Sequence, residues 1–298
     1  MGQNIHLVNV FTSNGRGGNL APILMDARGL TDLEMRDVAR RYERESSFVL
    51  PAPKGSDVDF ELRFFVPEHE MEMCGHATVG TAWVMHSLGM TDKKEVKFVT
   101  KSGTVRTRRE EANDQSLVFV SQPKGTVEAI QNEALVAEIL SVLGINSTQL
   151  GGPWPVQNAC TSRLKTMVPL KNVEILNNLQ PDFTRVKDIC EKLGSTGLYP
   201  YTIVPGTENP VQIEARQFPK ASGYPEDAAT GIAAAALSYA LASNGVVPPG
   251  REVLVHQGRA MGYPSEIKVQ LVDDGCWVGG SCTLDTSVET VGSISSIY

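Results

Sequence analysis

Two stretches decide the fold of this chain: MCGHATVG at residues 73–80 and EDAATGIA at residues 226–233. Each places small residues where a helix should begin, and each brings a titratable side chain to that point, His76 in the first and Asp227 in the second. The helix that follows each stretch is apolar on nearly every face, which is typical of a helix buried on all sides. Two such helix starts, about half a chain apart, indicate a duplicated architecture with one site between the halves.

The segments around each predicted buried helix follow the same order. In the first half, alternating apolar residues predict strands, and Thr31 with Glu34 forms a capping box that starts an exposed helix ending near Arg44. After Pro123 the order of strands, exposed helix, strands and buried helix repeats. A helix that is apolar all round must be wrapped by sheet. We therefore predict an α+β fold of two similar domains, each a curved, mostly antiparallel, barrel-like sheet around a central buried helix.

The predicted domain limits follow from where the pattern restarts. The N-terminal domain should cover residues 1–123 and be completed by the C-terminal segment 283–298. The C-terminal domain should cover residues 124–282.

Composition excludes several classes of function. The chain has 298 residues, a net charge of −7 and a pI near 5.4, which disfavours nucleic acid and anionic membranes as partners. Residues 1–10 show no secretory signal pattern, and no stretch approaches the roughly 20 apolar residues that span a bilayer. The five cysteines are scattered without a C-x-x-C pair, so we expect a cytoplasmic protein without disulfides or a metal site.

Three side chains are candidates for proton transfer. His76 can exchange a proton near neutral pH, although a histidine at a helix start can also be a structural hydrogen-bonding group. Asp227 is a plausible N-cap of the second buried helix, and a cap can also face a ligand. Glu45 precedes an apolar strand; a carboxylate that enters a core can act as an acid–base group, whereas one that stays outside is only a surface charge.

The two helix starts also predict binding and thiol chemistry. Backbone N–H groups at Gly75 and Gly231 would attract a carboxylate, unless the glycines serve only close packing. Cys74 is either a thiolate favoured by the helix dipole or an inert buried cysteine. Comparison of the two stretches sets Ala228 opposite Cys74, so a racemase with a thiol pair is not expected. Nucleotide-binding motifs are absent from the sequence, and we expect no cofactor.

These residues resemble the phenazine-biosynthesis isomerase-like family, which shares the diaminopimelate epimerase fold. The resembling segments occur in the family order over most of the chain: VNVFT at 8–12, GGN at 17–19, ESSFV at 45–49, CGHAT at 74–78, EDAATG at 226–231, QG at 257–258 and GYPS at 262–265.

The resemblance implies two similar domains with an active site in the cleft between them, and a cofactor-free isomerase that moves a proton. By position, it implies Glu45 as the main proton shuttle, with His76 and Asp227 as its partners. The residues implied to bind substrate are Asn19, Cys74, Gly75, Ala77, Thr230, Gly231 and Ile232. The resemblance also implies a homodimer.

The sequence departs from the family pattern at three positions. Ile232 stands where serine is common, Tyr263 where arginine is common, and Arg44 where serine commonly precedes the glutamate. These departures concern the substrate more than the class of reaction.

The leading hypothesis is a cofactor-independent isomerase that acts on a small carboxylate-bearing metabolite, amino-acid-like or cyclic, with Glu45 as general acid–base group. The alternatives are an epimerase, racemase or lyase that uses Cys74, and a non-catalytic protein that binds a metabolite.

Overall fold

The computed structural model describes residues 4–112 and 115–285, and these divide into two compact units. The first unit comprises the described residues within Met1–Ser121 and Gly279–Tyr298, and the second comprises Gln122–Val278. The domain limits of 1–123 and 124–282 stay a prediction. Of the segment 283–298, expected to complete the first domain, residues 286–298 lie outside the described part of the chain.

The described part of the first unit contains two helices, seven complete strands, most of β8 and the end of the last strand of the chain. In chain order they are β1 (Ile5–Thr12), β2 (Asn19–Leu24), α1 (Asp32–Tyr42), β3 (Ser46–Pro51), β4 (Phe60–Phe65), β5 (Glu70–Met71), α2 (Gly75–Ser87), β6 (Glu95–Thr100), β7 (Gly103–Ala112) and β8 (Gln115–Pro123).

The second unit contains four helices. Its elements are β9 (Thr126–Ala129), α3 (Glu133–Val142), β10 (Gln157–Cys160), β11 (Leu164–Pro169), α4 (Val173–Asn177), α5 (Phe183–Leu193), β12 (Gly197–Ile203), β13 (Val211–Ala215), β14 (Phe218–Pro219), α6 (Gly231–Ser243), β15 (Glu252–Gln257), β16 (Ser265–Val272) and the start of β17 (Gly275–Leu284).

Strand pairing repeats between the two units. In the first, β1–β2 is antiparallel, β2–β3 parallel, β3–β4 antiparallel, β4–β6 parallel and β6–β7 antiparallel. In the second, β10–β11, β11–β12, β12–β13, β13–β15 and β15–β16 show the same alternation. The predicted duplication and the mostly antiparallel pairing are therefore confirmed.

Helix α2 is buried on all sides, as the sequence predicts. It packs on β1, β2, β3 and β7, and nine of its residues are buried. Gly80 lies where a Cβ atom would come within 2.9 Å of Val10 Cγ2 and 3.0 Å of Ile23 Cδ1, so a larger residue would crowd these two strand side chains. Helix α6 is also buried around its circumference and packs on β9, β10, β11 and β16.

Helix α1 has the predicted capping box, but it ends earlier than predicted. Thr31 and Glu34 exchange the two hydrogen bonds of the box. The helix ends at Tyr42 rather than near Arg44, because Glu43 adopts a left-handed conformation (φ 51°) and its N–H bonds the carbonyls of Ala39 and Arg40.

Some elements differ from the sequence prediction. The pattern of residues 154–159 predicts a strand there, but β10 begins only at Gln157, because Pro155 has no N–H to contribute to a ladder. Strand β9 and the five-residue helix α4 were not predicted, since both are too short to show a period. Across the described ranges 4–112 and 115–285, the helices are too short or too polar to cross a membrane.

Candidate active site

Glu45 lies at the junction between α1 and β3. The left-handed turn at Glu43 ends the helix, Ser46 Oγ donates to the carbonyl of Arg44 at 3.2 Å, and β3 begins at Ser46. The chain therefore passes from an exposed helix end into a buried strand within three residues. The Glu45 side chain lies at this entry and is only 14% exposed.

Cys74 and His76 are held by the start of α2. Cys74 is the N-cap residue, with extended backbone angles, and His76 is the second residue of the helix. Thr78 fixes the cap, because both its backbone N–H and its hydroxyl donate to the Cys74 carbonyl, at 3.0 and 2.7 Å. Both Cys74 and His76 are buried.

The three side chains meet in a triangle. The Cys74 thiol donates to Glu45 Oε2 at 3.4 Å, Cys74 Sγ lies 3.4 Å from His76 Nδ1, and His76 Nδ1 lies 3.3 Å from Glu45 Oε2. A carboxylate, a thiol and an imidazole in mutual contact can pass a proton among them. Each residue also offers one metal-ligating atom, and these atoms lie within 4.8 Å of one another.

A buried hydroxyl pair joins the two elements that carry this triangle. Thr81 Oγ1 of α2 donates to Ser47 Oγ of β3 at 2.9 Å, and it also contacts the Ala77 carbonyl at 2.7 Å. Ala77, expected to bind substrate, is fully buried in the first turn of α2. Asn19, also expected there, is a buried residue at the start of β2 and stands opposite Val10 in the strand register.

The second unit holds a separate group of polar residues before α6. The Thr230 hydroxyl donates to Asp227 Oδ2, and Gln257 Nε2 donates to the Asp227 carbonyl at 2.7 Å. Gln257 Oε1 accepts from the Thr230 N–H at 3.3 Å and from the Tyr199 hydroxyl at 2.9 Å. Burial raises the pKa of Tyr199 most, and the negative charge of Asp227 raises it further. The Tyr199 hydroxyl therefore stays protonated and donates to Gln257.

Arg216 and Glu226 fix the chain just before Asp227. Arg216 forms a bidentate ion pair with Glu226. Its Nε donates to Oε1 at 2.8 Å and its Nη2 donates to Oε2 at 2.7 Å, and both side chains are 10% exposed. The adjacent Asp227 N–H donates to the Gln217 carbonyl at 3.0 Å. This segment is therefore anchored by an ion pair and a backbone bridge.

Two sequence-based expectations are wrong in this region. Asp227 does not cap α6; Thr230 is the N-cap residue, because the helix begins at Gly231. Cys74 is the N-cap residue of α2, so the residue that corresponds to it in α6 is Thr230 rather than Ala228. Thr230 has no thiol, so the start of α6 provides no second thiol to match Cys74.

The structure thus brings the candidates together in two sets. Glu45, Cys74 and His76 form one set in the first unit, and Asp227 and Thr230 belong to the other, next to Gly231 and Ile232 at the start of α6. Sequence reasoning missed Gln257 as a site residue, although it stands in the segment QG at 257–258. Arg216 was also missed, since its partner Glu226 lies ten residues away across a loop.

Solved structures first define the class of fold. A phenazine biosynthesis protein from Bacillus anthracis superposes with a TM-score of 0.86 at 23% identity, covering 98% of this chain and 99% of that one. A hydroxyproline epimerase from Agrobacterium vitis superposes with a TM-score of 0.60 at 12% identity, over 97% of this chain and 92% of that one. The predicted epimerase-like α+β fold is confirmed.

Sequence comparison then gives the family. The chain matches the phenazine biosynthesis-like proteins over residues 8–279. It is 30% identical to an uncharacterized isomerase of Escherichia coli over 90% of each chain. It is 28% identical to the trans-2,3-dihydro-3-hydroxyanthranilate isomerase of Pseudomonas fluorescens over 88% of each. The chain belongs to the phenazine biosynthesis-like family and is an enzyme of its isomerase class.

Proposed function

We propose that this chain is a cofactor-independent isomerase that moves a proton on a small carboxylate-bearing metabolite, with Glu45 as the general acid–base group. The observation that carries the proposal is the largely buried Glu45 carboxylate in contact with both Cys74 and His76. The substrate class is supported by the relative in Pseudomonas fluorescens, whose name specifies a cyclic amino-acid-like carboxylate.

The proposed reaction conserves every atom of the substrate. Glu45 removes a proton from an acidic carbon, and the electron pair spreads through the adjacent unsaturated system. The same carboxyl group then returns a proton to another carbon of that system. A positioned acid–base group contributes about 10²–10⁴-fold to such a step.

His76 and the start of α2 support this step in different ways. His76 Nδ1, 3.3 Å from the carboxylate, orients Glu45 and stabilises its charge when the imidazole is protonated. The N–H groups of the first turn at Gly75 provide a place for the substrate carboxylate, because the positive end of the helix dipole favours an anion. The same role for Gly231 and Ile232, and the participation of Asp227, remain predictions.

Glu45→Gln tests the proposal. We expect turnover of trans-2,3-dihydro-3-hydroxyanthranilate, and deuterium incorporation from D₂O, to fall by about 10²–10⁴-fold, because the amide cannot take up a proton. Glu43→Gln, two residues away at the exposed end of α1, is the matched control and should keep wild-type rates. Retention of deuterium incorporation by Glu45→Gln would show that Glu45 is not the base.

A second candidate function uses Cys74 as the base of an epimerase or lyase, and the contact of its sulfur with both Glu45 and His76 favours it. Cys74→Ser distinguishes the two. Loss of activity equal to that of Glu45→Gln indicates thiol chemistry, and retention indicates the carboxylate. A metabolite-binding protein without catalysis would incorporate no deuterium in any variant. A cytoplasmic homodimer that works without a cofactor stays a prediction.

A further inference from the structure

We propose that Glu45, Cys74 and His76 form a binding site for a thiophilic divalent metal ion, Zn²⁺ in particular. In a tetrahedral zinc site the metal lies about 2.3 Å from sulfur and about 2.0–2.2 Å from nitrogen and oxygen, so neighbouring donor atoms are about 3.3–3.7 Å apart. The three donor separations in this triangle are 3.4, 3.4 and 3.3 Å. The side chains therefore already have the spacing of three corners of a zinc tetrahedron.

The donor set selects the kind of ion. One thiolate, one imidazole and one carboxylate suit Zn²⁺, whereas Mg²⁺ and Ca²⁺ require oxygen donors throughout. With three protein ligands the fourth position stays open to water or to a substrate carboxylate, as in catalytic rather than structural zinc sites.

Charge also favours the ion. A thiolate and a carboxylate with a neutral imidazole carry two negative charges, which one Zn²⁺ balances. Such charges are costly in a buried setting unless they are paired or bound to a metal. Binding displaces the thiol proton, and any proton on the imidazole or carboxyl group, to the buffer.

The supporting elements keep the three ligands in place. Cys74 and His76 are fixed by the first turn of α2, and β3, which Glu45 precedes, is linked to the same helix by the bond between Thr81 and Ser47. A site on elements joined in this way loses little conformational entropy when it binds an ion.

Zn²⁺ bound at this site should affect catalysis, an expectation that rests on the proposed role of Glu45. A Glu45 oxygen bound to the metal cannot take up a proton from carbon. Zn²⁺ should therefore inhibit the isomerase reversibly, by lowering kcat.

Cobalt(II) is the probe for the site, because tetrahedral Co²⁺ bound to a thiolate shows strong visible bands and a near-ultraviolet sulfur-to-metal charge-transfer band. The test is a titration of the 298-residue chain, without a histidine tag, with CoCl₂. The expected result is one equivalent of bound Co²⁺ with both features, which disappear when one equivalent of Zn²⁺ is added.

Variants identify the ligands. Cys74→Ser should abolish the charge-transfer band, and His76→Gln should weaken Co²⁺ binding at least tenfold, with folding checked by circular dichroism. Cys160→Ser is the matched control, because Cys160 is a free cysteine that is partly exposed and therefore accessible to a metal ion. A band that survives Cys74→Ser, or no band at stoichiometric Co²⁺, would overturn the site.

The Co²⁺ spectrum tests the metal site, and inhibition by Zn²⁺ tests the role of Glu45, so the two proposals can be rejected independently. Absence of the Co²⁺ spectrum refutes the metal site and leaves the isomerase proposal intact. A Co²⁺ spectrum that depends on Cys74 and is weakened in Glu45→Gln, without inhibition by Zn²⁺, supports the metal site and contradicts Glu45 as the proton shuttle.

Discussion

At the scale of single residues, the balance between burial and neighbouring charges differs among the carboxylates Glu214, Glu70 and Glu45. Burial raises the pKa of Glu214 and outweighs the opposing effect of Arg259. For Glu70 burial also acts to raise the pKa, but the hydrogen bonds and charges of Arg63 and Lys101 together outweigh it and lower the pKa. Glu45 differs from both in that a thiol, from Cys74, and an imidazole, from His76, contact its carboxylate. The same residue type therefore provides structural ion pairs at some positions and a candidate acid–base group at another.

Glu70→Gln should change how stability depends on pH. The pKa of Glu70 is lower in the folded state than its ordinary value of 4.5, so its contribution to stability is present above that value and is lost as the pH falls through the folded-state pKa. We expect the variant to be less stable by about 1–3 kcal/mol at pH 7, and the difference to shrink below pH ~4.5.

Urea unfolding between pH 3 and pH 7 measures this effect. Glu111→Gln is the control, since Glu111 is 59% exposed in its pair with Arg109 and its loss should leave the pH dependence unchanged. Stability curves of wild type and Glu70→Gln that stay parallel down to pH 3 would contradict the assignment.

At the scale of elements, the segment that leads into α6 depends on Arg216. Its guanidinium binds Glu226 with two hydrogen bonds and also donates to the carbonyls of Leu176, Asn177 and Leu179 at the end of α4. One side chain therefore ties the residue before Asp227 to a neighbouring helix. Planar bidentate geometry of this kind is specific to arginine.

Glu226→Ala should destabilise the second unit by about 3–5 kcal/mol, because it leaves the Arg216 charge buried without its carboxylate. Glu191→Ala is the matched control; its pair with Lys220 spans 3.6 Å and is 51% exposed on the glutamate side, so the loss should stay below about 1 kcal/mol. Chemical denaturation compares the two variants, with Glu226→Gln as an intermediate case. Equal losses for Glu226→Ala and Glu191→Ala would exclude a structural role for the Arg216 pair.

At the scale of the whole molecule, each unit is organised around one helix buried on all sides. Nine residues of α2 and nine of α6 are buried, whereas α1 buries three residues along a single face. A buried, hydrogen-bonded amide exchanges with solvent only when the structure around it opens. The amides of a helix buried on all sides should therefore exchange only when the surrounding sheet also unfolds.

Hydrogen exchange should show this difference directly. We expect the amides from the second turn onward of α2 and α6 to exchange most slowly in their units, and those of α1 to exchange earlier. Mass spectrometry of peptides that cover 75–87, 231–243 and 32–42 measures the three rates. Exchange of α2 as fast as that of α1 would mean that the central helix is not the stable core of its unit.

Much of the fold could be predicted because it is encoded locally. The capping box of α1, the apolar circumference of α2 and α6, and the glycines that begin these two helices depend on residues within a few positions of each other. The ends of helices and strands were predicted less accurately. A left-handed residue at Glu43 ends α1, and a missing N–H at Pro155 delays the start of β10 to Gln157. Neither feature changes the hydrophobic period from which the element is predicted. Short elements such as β9 and α4 have no period to detect.

The sequence by itself determined the duplicated order of elements, the two buried helices and the membership of the phenazine biosynthesis-like family. Only the tertiary structure brought Glu45 to Cys74, 29 residues later in the chain, and Gln257 to Asp227, 30 residues earlier. The physical reason is that helix and strand patterns depend on neighbours along the chain. Contacts between residues far apart in the chain depend on which strands pair, as Ser47 pairs with Ile23 and with Phe64. That pairing cannot be predicted from the residues next to each strand.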